Sequence, residues 1–169
     1  MQRNIILIGF MGTGKTSVGR LLAARTGMTF VDTDSVIVSR AGKSIPEIFQ
    51  YNGEDYFRAL EHEAIKELAN RRSAVIATGG GAVLNPENMR ILKESGIVVA
   101  LKARIETIWN RIQGNNDRPL LSGRDSREKL ENLYMKRLGA YDQAHIIIET
   151  DEKTPLEIAD EIMGAIYSS

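Results

Sequence analysis

The octapeptide Gly9-Phe10-Met11-Gly12-Thr13-Gly14-Lys15-Thr16 constrains this chain more than any other stretch. It satisfies G-x-x-x-x-G-K-[ST], and it stands between an apolar run, Asn4 to Ile8, and a helical pattern opening near Lys15. That strand, loop and helix context is what the motif requires. Glycines let the backbone bend until successive N–H groups point at phosphate oxygens, and the helix N-terminus adds partial positive charge. Lys15 is then placed for β- and γ-phosphates, and the Thr16 hydroxyl for Mg²⁺. At ordinary residue frequencies a chance match is expected in roughly one chain of this length in two hundred.

The rest of the chain supplies the fold such a loop needs. Short β-branched runs recur at Thr29 to Val31, Ala74 to Ala77, Ile97 to Leu101 and Ile146 to Ile148. With Asn4 to Ile8 they read as buried parallel strands, apolar on both faces. Helical stretches lie between them. Gly27 reads as the stop of the helix from Lys15, with Arg25 suiting its last turn. Ser44-Ile45-Pro46-Glu47 and Thr154-Pro155-Leu156-Glu157 have capping-box spacing, and Asn85-Pro86 is a further cap. This alternation implies right-handed βαβ units and an α/β fold in three layers. No linker, repeat or low-complexity tract marks a boundary, so residues 1–169 read as one domain.

Composition removes several function classes. With 43 % hydrophobic residues in 169, the chain can bury a core without covalent staples. It has no Cys, which excludes a disulfide framework, a thiolate zinc site and a Cys nucleophile, and fits a reducing cytosol. Ile5 to Ile8 is too short for a signal peptide or spanning helix, so a soluble cytoplasmic protein is expected. Twenty-two basic against 22 acidic side chains argue against nucleic acid or an anionic membrane as partner. The balance is uneven: residues 138–169 carry one basic and seven acidic side chains, read as a solvated acidic helix.

Val31-Asp32-Thr33-Asp34 puts two acids at the carboxyl edge of the sheet, where ligands of open parallel sheets bind. Residues two apart on an extended chain point the same way, so both can face one site. One would hold Mg²⁺ through water and the other accept a hydroxyl proton; the plain alternative is a turn in which Asp34 caps a helix over Ser35 to Arg40. No later strand ends in an apolar run plus Asp, leaving Asp32 as the metal candidate. The third strand runs into Thr78-Gly79-Gly80-Gly81-Ala82-Val83, either a close approach of backbone to ligand or a flexible turn.

Together these residues resemble the shikimate kinase family over nearly the whole chain. The resemblance rests on residues 9 to 16, Val31 to Asp34, Ser44 to Phe49, Gly53-Glu54 with Phe57-Arg58 and Glu61, Gly79 to Val83, and Arg118-Pro119-Leu120-Leu121, in that family's order and spacing. It implies phosphorylation of the 3-hydroxyl of shikimate by ATP with Mg²⁺, in aromatic amino-acid biosynthesis, by a monomer. The implied fold is a P-loop kinase with a five-stranded parallel sheet ordered 2-3-1-4-5, a helical substrate-binding segment over 33–61 and a mobile lid over 113–124. The resemblance assigns ATP to Gly12, Thr13, Gly14, Lys15, Thr16 and Ser17, with Arg111 and Pro155 flanking the adenine and Arg118 entering from the lid. It assigns shikimate to Asp34, Arg58, Gly80 and Arg137, with Gly79 and Gly81 shaping the approach, and metal to Thr16 and Asp32. Lys15, Asp34 and Arg118 would carry catalysis.

The chemistry is independently sensible. A ring with three hydroxyls and one carboxylate calls for a carboxylate to accept hydroxyl hydrogens and guanidinium groups to grip the anion. Glu61, three residues beyond Arg58, can orient its guanidinium or be an ordinary surface pair. Ile45, Phe49 and Phe57 suit either a wall for the ring or core packing. Arg137, with Tyr141 one turn later, is otherwise a surface arginine; Trp109, His62 and His145 show no ligand spacing, and Arg124 and Arg127 have no assigned function. A gluconate kinase and a nucleotide-binding module without turnover are the competing readings.

Overall fold

A computed structural model describes residues 2–113 and 126–168. Five strands, β1 (Asn4–Gly9), β2 (Thr29–Asp32), β3 (Ala74–Ala77), β4 (Gly96–Lys102) and β5 (Ile146–Glu149), form one sheet in the order β2-β3-β1-β4-β5 with every pair parallel. This is the expected sheet. The helices are α1 (Lys15–Thr26), α2 (Thr33–Ala41), α3 (Ile45–Asn52), α4 (Glu54–Ala69), α5 (Pro86–Ser95), α6 (Ile105–Ile112), α7 (Ser126–Tyr141) and α8 (Pro155–Tyr167), with a 3-10 turn at Ala82–Leu84.

Period-two alternation along β1 sorts the layers. Ile5 and Leu7 pack with Val18 and Leu22 of α1 and Ile158 and Ile162 of α8. Ile6 and Ile8 face the other way, against Ile65 of α4, Leu92 of α5, Ile108 of α6 and Tyr141 of α7. A strand flanked on both sides and covered on both faces has no solvated side, and all six residues of β1 are buried, its one polar side chain, Asn4, bonding the Arg71 carbonyl and the Ala74 N–H. The edge strands depart from the expectation of full burial: in β5 only Ile148 is buried, and β2 has no buried residue. An edge strand has sheet on one side and solvent on the other.

Local signals fall where the sequence puts them. Gly27 closes α1 in the left-handed region, Asn85 caps α5 by accepting from the Glu87 N–H, and Thr154 with Glu157 forms a reciprocal capping box on α8. Ser44 accepts from the Glu47 N–H, but the Glu47 carboxylate bonds the Ser44 hydroxyl instead of closing the box. The cap of α2 is Asp32 and not Asp34: its Oδ1 accepts the Asp34 N–H at 2.8 Å. The strand ends at Asp32, so Asp34 lies in the first helical turn and the extended-chain reason for pairing the two acids does not hold. Ile37, Ile48, Phe57 and Ala64 form a small separate core with Ile45 and Phe49, the two rings 5.0 Å apart; core packing is what these aromatics do. Among the described residues no helix is long and apolar enough to cross a membrane.

Candidate active site

The loop after β1 turns through Gly12 (φ 75°) and Gly14 (φ 93°), conformations that a side chain would strain. The Lys15 ammonium donates to the Gly9 and Phe10 carbonyls at 2.8 and 2.9 Å, and the buried Thr13 hydroxyl donates to Phe10 O at 2.8 Å. These bonds draw the loop into a ring around its own axis. No side chain caps the N-terminus of α1, so its first-turn N–H groups remain for an anion. A cleft of about 320 Å³ opens there, lined by Gly12, Gly14, Lys15, Thr16, Ser17, Asp32, Asp34, Gly79, Gly80 and Arg111 among others. Ten of the residues picked from the sequence therefore share one cavity.

Asp32 divides its two oxygens. Oδ1 caps α2, and Oδ2 accepts the Thr16 hydroxyl at 3.3 Å. Hydroxyl and carboxylate oxygens side by side are hard donors that fit Mg²⁺, which keeps waters and takes phosphate oxygens for the rest. Among the described residues no group of three or more His, Cys, Asp or Glu could hold a metal.

The glycine turn after β3 is where the charged residues meet. A Cβ on Gly79 would stand 2.9 Å from Asp34 Oδ1 and 3.0 Å from Glu61 Oε2, one on Gly81 2.5 Å from Arg58 Nη2, and one on Gly80 3.4 Å from Arg137 Nη1. The close approach read from the three glycines is thus an approach to the protein's own side chains. Thr33 ties the turn to α2 by accepting the Gly79 N–H at 3.1 Å.

Neither Glu61 nor Arg137 is a surface residue. Glu61 is 1 % exposed and accepts from Arg58 Nη1 at 2.9 Å; burial raises its pKa, against the pull of Arg58. Arg137 is 3 % exposed, lies 5.9 Å over the Phe10 ring and has no carboxylate within ion-pair distance among the described residues. Burial lowers its pKa. A buried cation without a direct ion-pair partner is costly, and an anion at this turn would offset that cost.

Arg111 reaches across the cleft. It donates to Gly12 O at 3.1 Å, and to Thr150 Oγ1 at 3.2 Å and Thr150 O at 3.1 Å. Beside it, Asp151 accepts the Arg104 N–H at 3.0 Å and the Thr107 hydroxyl at 2.6 Å, capping α6 from 47 residues away. Thr150, Asp151 and Thr33 were not singled out from the sequence, and nothing local signals them. Tyr141 gave a hint through its spacing from Arg137. Pro155 stands exposed at the start of α8, outside the residues lining the cleft. Arg118, and the expected lid over 113–124 beyond Gln113, lie outside the described residues.

A phosphate loop after the first strand of a 2-3-1-4-5 parallel sheet, with a carboxylate and two arginines beside it, defines a P-loop kinase acting on a small anionic acceptor. The shikimate kinase family profile matches residues 11–167. The chain is 45 % identical over 162 residues to a shikimate kinase of Thermodesulfovibrio yellowstonii, covering 96 % of this chain and 94 % of the relative. It is 47 % identical over 166 residues to one of Moorella thermoacetica, covering 98 % and 95 %. Its fold is similar to shikimate kinase from Acinetobacter baumannii in complex with shikimate, with TM-score 0.96, 40 % identity, and 99 % and 94 % of the two chains covered. The chain belongs to the shikimate kinase family, and its reaction is the transfer of a phosphoryl group from ATP to shikimate.

Proposed function

We propose that this chain phosphorylates the 3-hydroxyl of shikimate with the residues of the cleft in the following roles. The observation carrying the reading is the convergence of Arg58 and Arg137 on Gly81 and Gly80, with Asp34 at Gly79, beside the phosphate loop. Two guanidinium groups suit the acceptor carboxylate and a carboxylate suits the ring hydroxyls. That pairing orients the ring so that one hydroxyl faces the nucleotide.

Phosphoryl transfer depends on positioning and charge more than on covalent help from the protein. Loop N–H groups from Gly12 to Ser17 and the Lys15 ammonium hold the β- and γ-phosphates. Asp34 accepts the hydroxyl hydrogen of the acceptor, orienting the nucleophile and taking its proton as the new P–O bond forms. Arg111 and Pro155 border the adenine. Arg118 is assigned to the charge developing on the transferred group, and closure of segment 113–124 to exclusion of water. Thr16 and Asp32 would hold Mg²⁺, which when bound neutralises phosphate charge. The chain acts as one kinase domain, a cytoplasmic monomer, with residues 33–61 as the acceptor-binding segment.

A coupled ADP-release assay with shikimate, gluconate, AMP or no acceptor tests the reading. Shikimate alone should accelerate ADP formation, and Asp34→Asn should lower kcat by two orders of magnitude or more, about the reach of a positioned acid or base, while ATP binding persists. Turnover on gluconate instead would make the chain a gluconate kinase. ATP binding with no turnover on any acceptor would make it a binding module.

A further inference from the structure

Tyr141 is among the largest fully buried side chains of the molecule, 1 % exposed at the C-terminal end of α7. Its hydroxyl is nonetheless aimed into the site and donates to Gly80 O at 2.6 Å. Arg137, one turn earlier on the same helix, brings its guanidinium to the same glycine. Gly80 lies between that arginine and the phosphate loop, since its Cβ position is 3.4 Å both from Arg137 Nη1 and from Met11 N. The phenol thus fixes the peptide against which the guanidinium lies. Burial keeps the phenol well above its usual pKa and hence neutral.

The phenol's neutrality is the informative feature. An acid at this position would pair with Arg137 and cancel its charge, whereas a neutral phenol and the Phe10 face border the guanidinium and leave the charge for a ligand. We propose that Tyr141 is a positioning residue for the acceptor carboxylate: it fixes the Gly80 peptide beside Arg137 without neutralising the arginine. This rests on the reading above, in which Arg137 and Gly80 meet that carboxylate.

Tyr141→Phe keeps the ring and removes the link to Gly80, leaving Gly80 O unpaired and the peptide beside Arg137 free to shift. The KM for shikimate should rise about tenfold, the effect of one such bond, while kcat and the KM for ATP stay within about twofold. The decisive readout is the ratio of kcat/KM for shikimate to that for shikimate methyl ester, whose carboxyl carries no charge. This ratio should fall about tenfold in Tyr141→Phe, and it is independent of how much of the sample is folded. In the Arg137→Lys background the same substitution should change the ratio little, because both act through one contact. An unchanged ratio in Tyr141→Phe, or equal effects in the two backgrounds, overturns the proposal. If Arg137→Lys itself leaves the ratio unchanged, the assignment of Arg137 to the carboxylate fails instead.

Discussion

Glu61 shows how one residue can serve the site at the expense of the fold. Its carboxylate is buried and holds Arg58, while burial raises its pKa above the ordinary glutamate value. A folded-state pKa above the unfolded one contributes stability that is complete below the unfolded value, about 4.3, and is lost as pH rises through the folded value. Ionisation of Glu61 therefore weakens the fold in the pH range where it orients Arg58. Shikimate KM should fall as pH rises through that raised pKa. Glu61→Gln should abolish this inflection and raise KM about tenfold, because the amide oxygen still accepts from Arg58 but without the carboxylate's charge; steady-state kinetics scanned upward from the ordinary glutamate pKa would show an unaltered profile if Glu61 were only packing.

The same scale separates what the sequence could and could not show. Lys15, Thr16 and the glycines between 9 and 14 are legible because their chemistry depends on neighbours within eight residues. Asp32 and Asp34 both line the cleft, yet the strand argument that paired them is removed by the turn into α2. Spacing could not tell whether Glu61 and Arg137 were buried, since an i, i+3 pair or a helical arginine looks alike on either face.

At the scale of elements, α6 depends on a segment distant in sequence. Arg104 at its N-cap supplies no side-chain cap, and Asp151 takes that place. Arg111, near the other end, is held by Thr150 while it grips Gly12. The end of β5 thus clamps both ends of the helix that braces the phosphate loop. Asp151→Ala should cost about 1 kcal/mol, as loss of an N-cap does, seen as a lower midpoint in urea with unchanged slope. It should also raise the KM for ATP more than that for shikimate, because the disturbance passes through Arg111 to the loop. Equal changes in both would place the effect on the fold as a whole.

Capping signals at Gly27, Asn85 and Thr154 were readable because a cap set by nearby residues is a local contract between side chain and backbone. The cap on α6 was not, because its donor and acceptor are joined only by the pairing of β4 with β5.

For the whole molecule, the acidic final stretch is the expected solvated face, and several of its carboxylates pair with basic side chains at the surface. Asp160 pairs with Arg25, Asp142 with Lys102, and Glu161 with Lys153, while Glu157 completes its capping box. The Thr154 N–H and hydroxyl hold Glu157 below the usual carboxylate range. Burial alone would raise Asp151, but Thr107 and Arg104 hold it low. Burial, with Lys93 and Arg3, lowers His145, whose Nδ1 accepts the Val98 N–H at 3.0 Å. Groups with depressed folded pKa contribute stability above their unfolded values, about 6.5 for His and 4 for the acids, which is lost as pH falls through the folded values. The melting temperature should therefore decline in two stages on acidification, first below about pH 6.5 and more steeply below about 4. His145→Gln, scanned by calorimetry, should remove the first stage; a first stage persisting in that variant would place it elsewhere.

The sequence by itself determined the strands, the parallel α/β class, the phosphate loop and the capped helix ends, because periodicity, β-branching and loop chemistry act over a few residues. Only the tertiary structure decided that Glu61 and Arg137 are buried, that three glycines make room for four charged side chains, and that Tyr141 and Asp151 join segments far apart in the chain. Burial and long-range contact are properties of how layers pack, and a local pattern carries no information about which distant side chain will fill the other half of a bond.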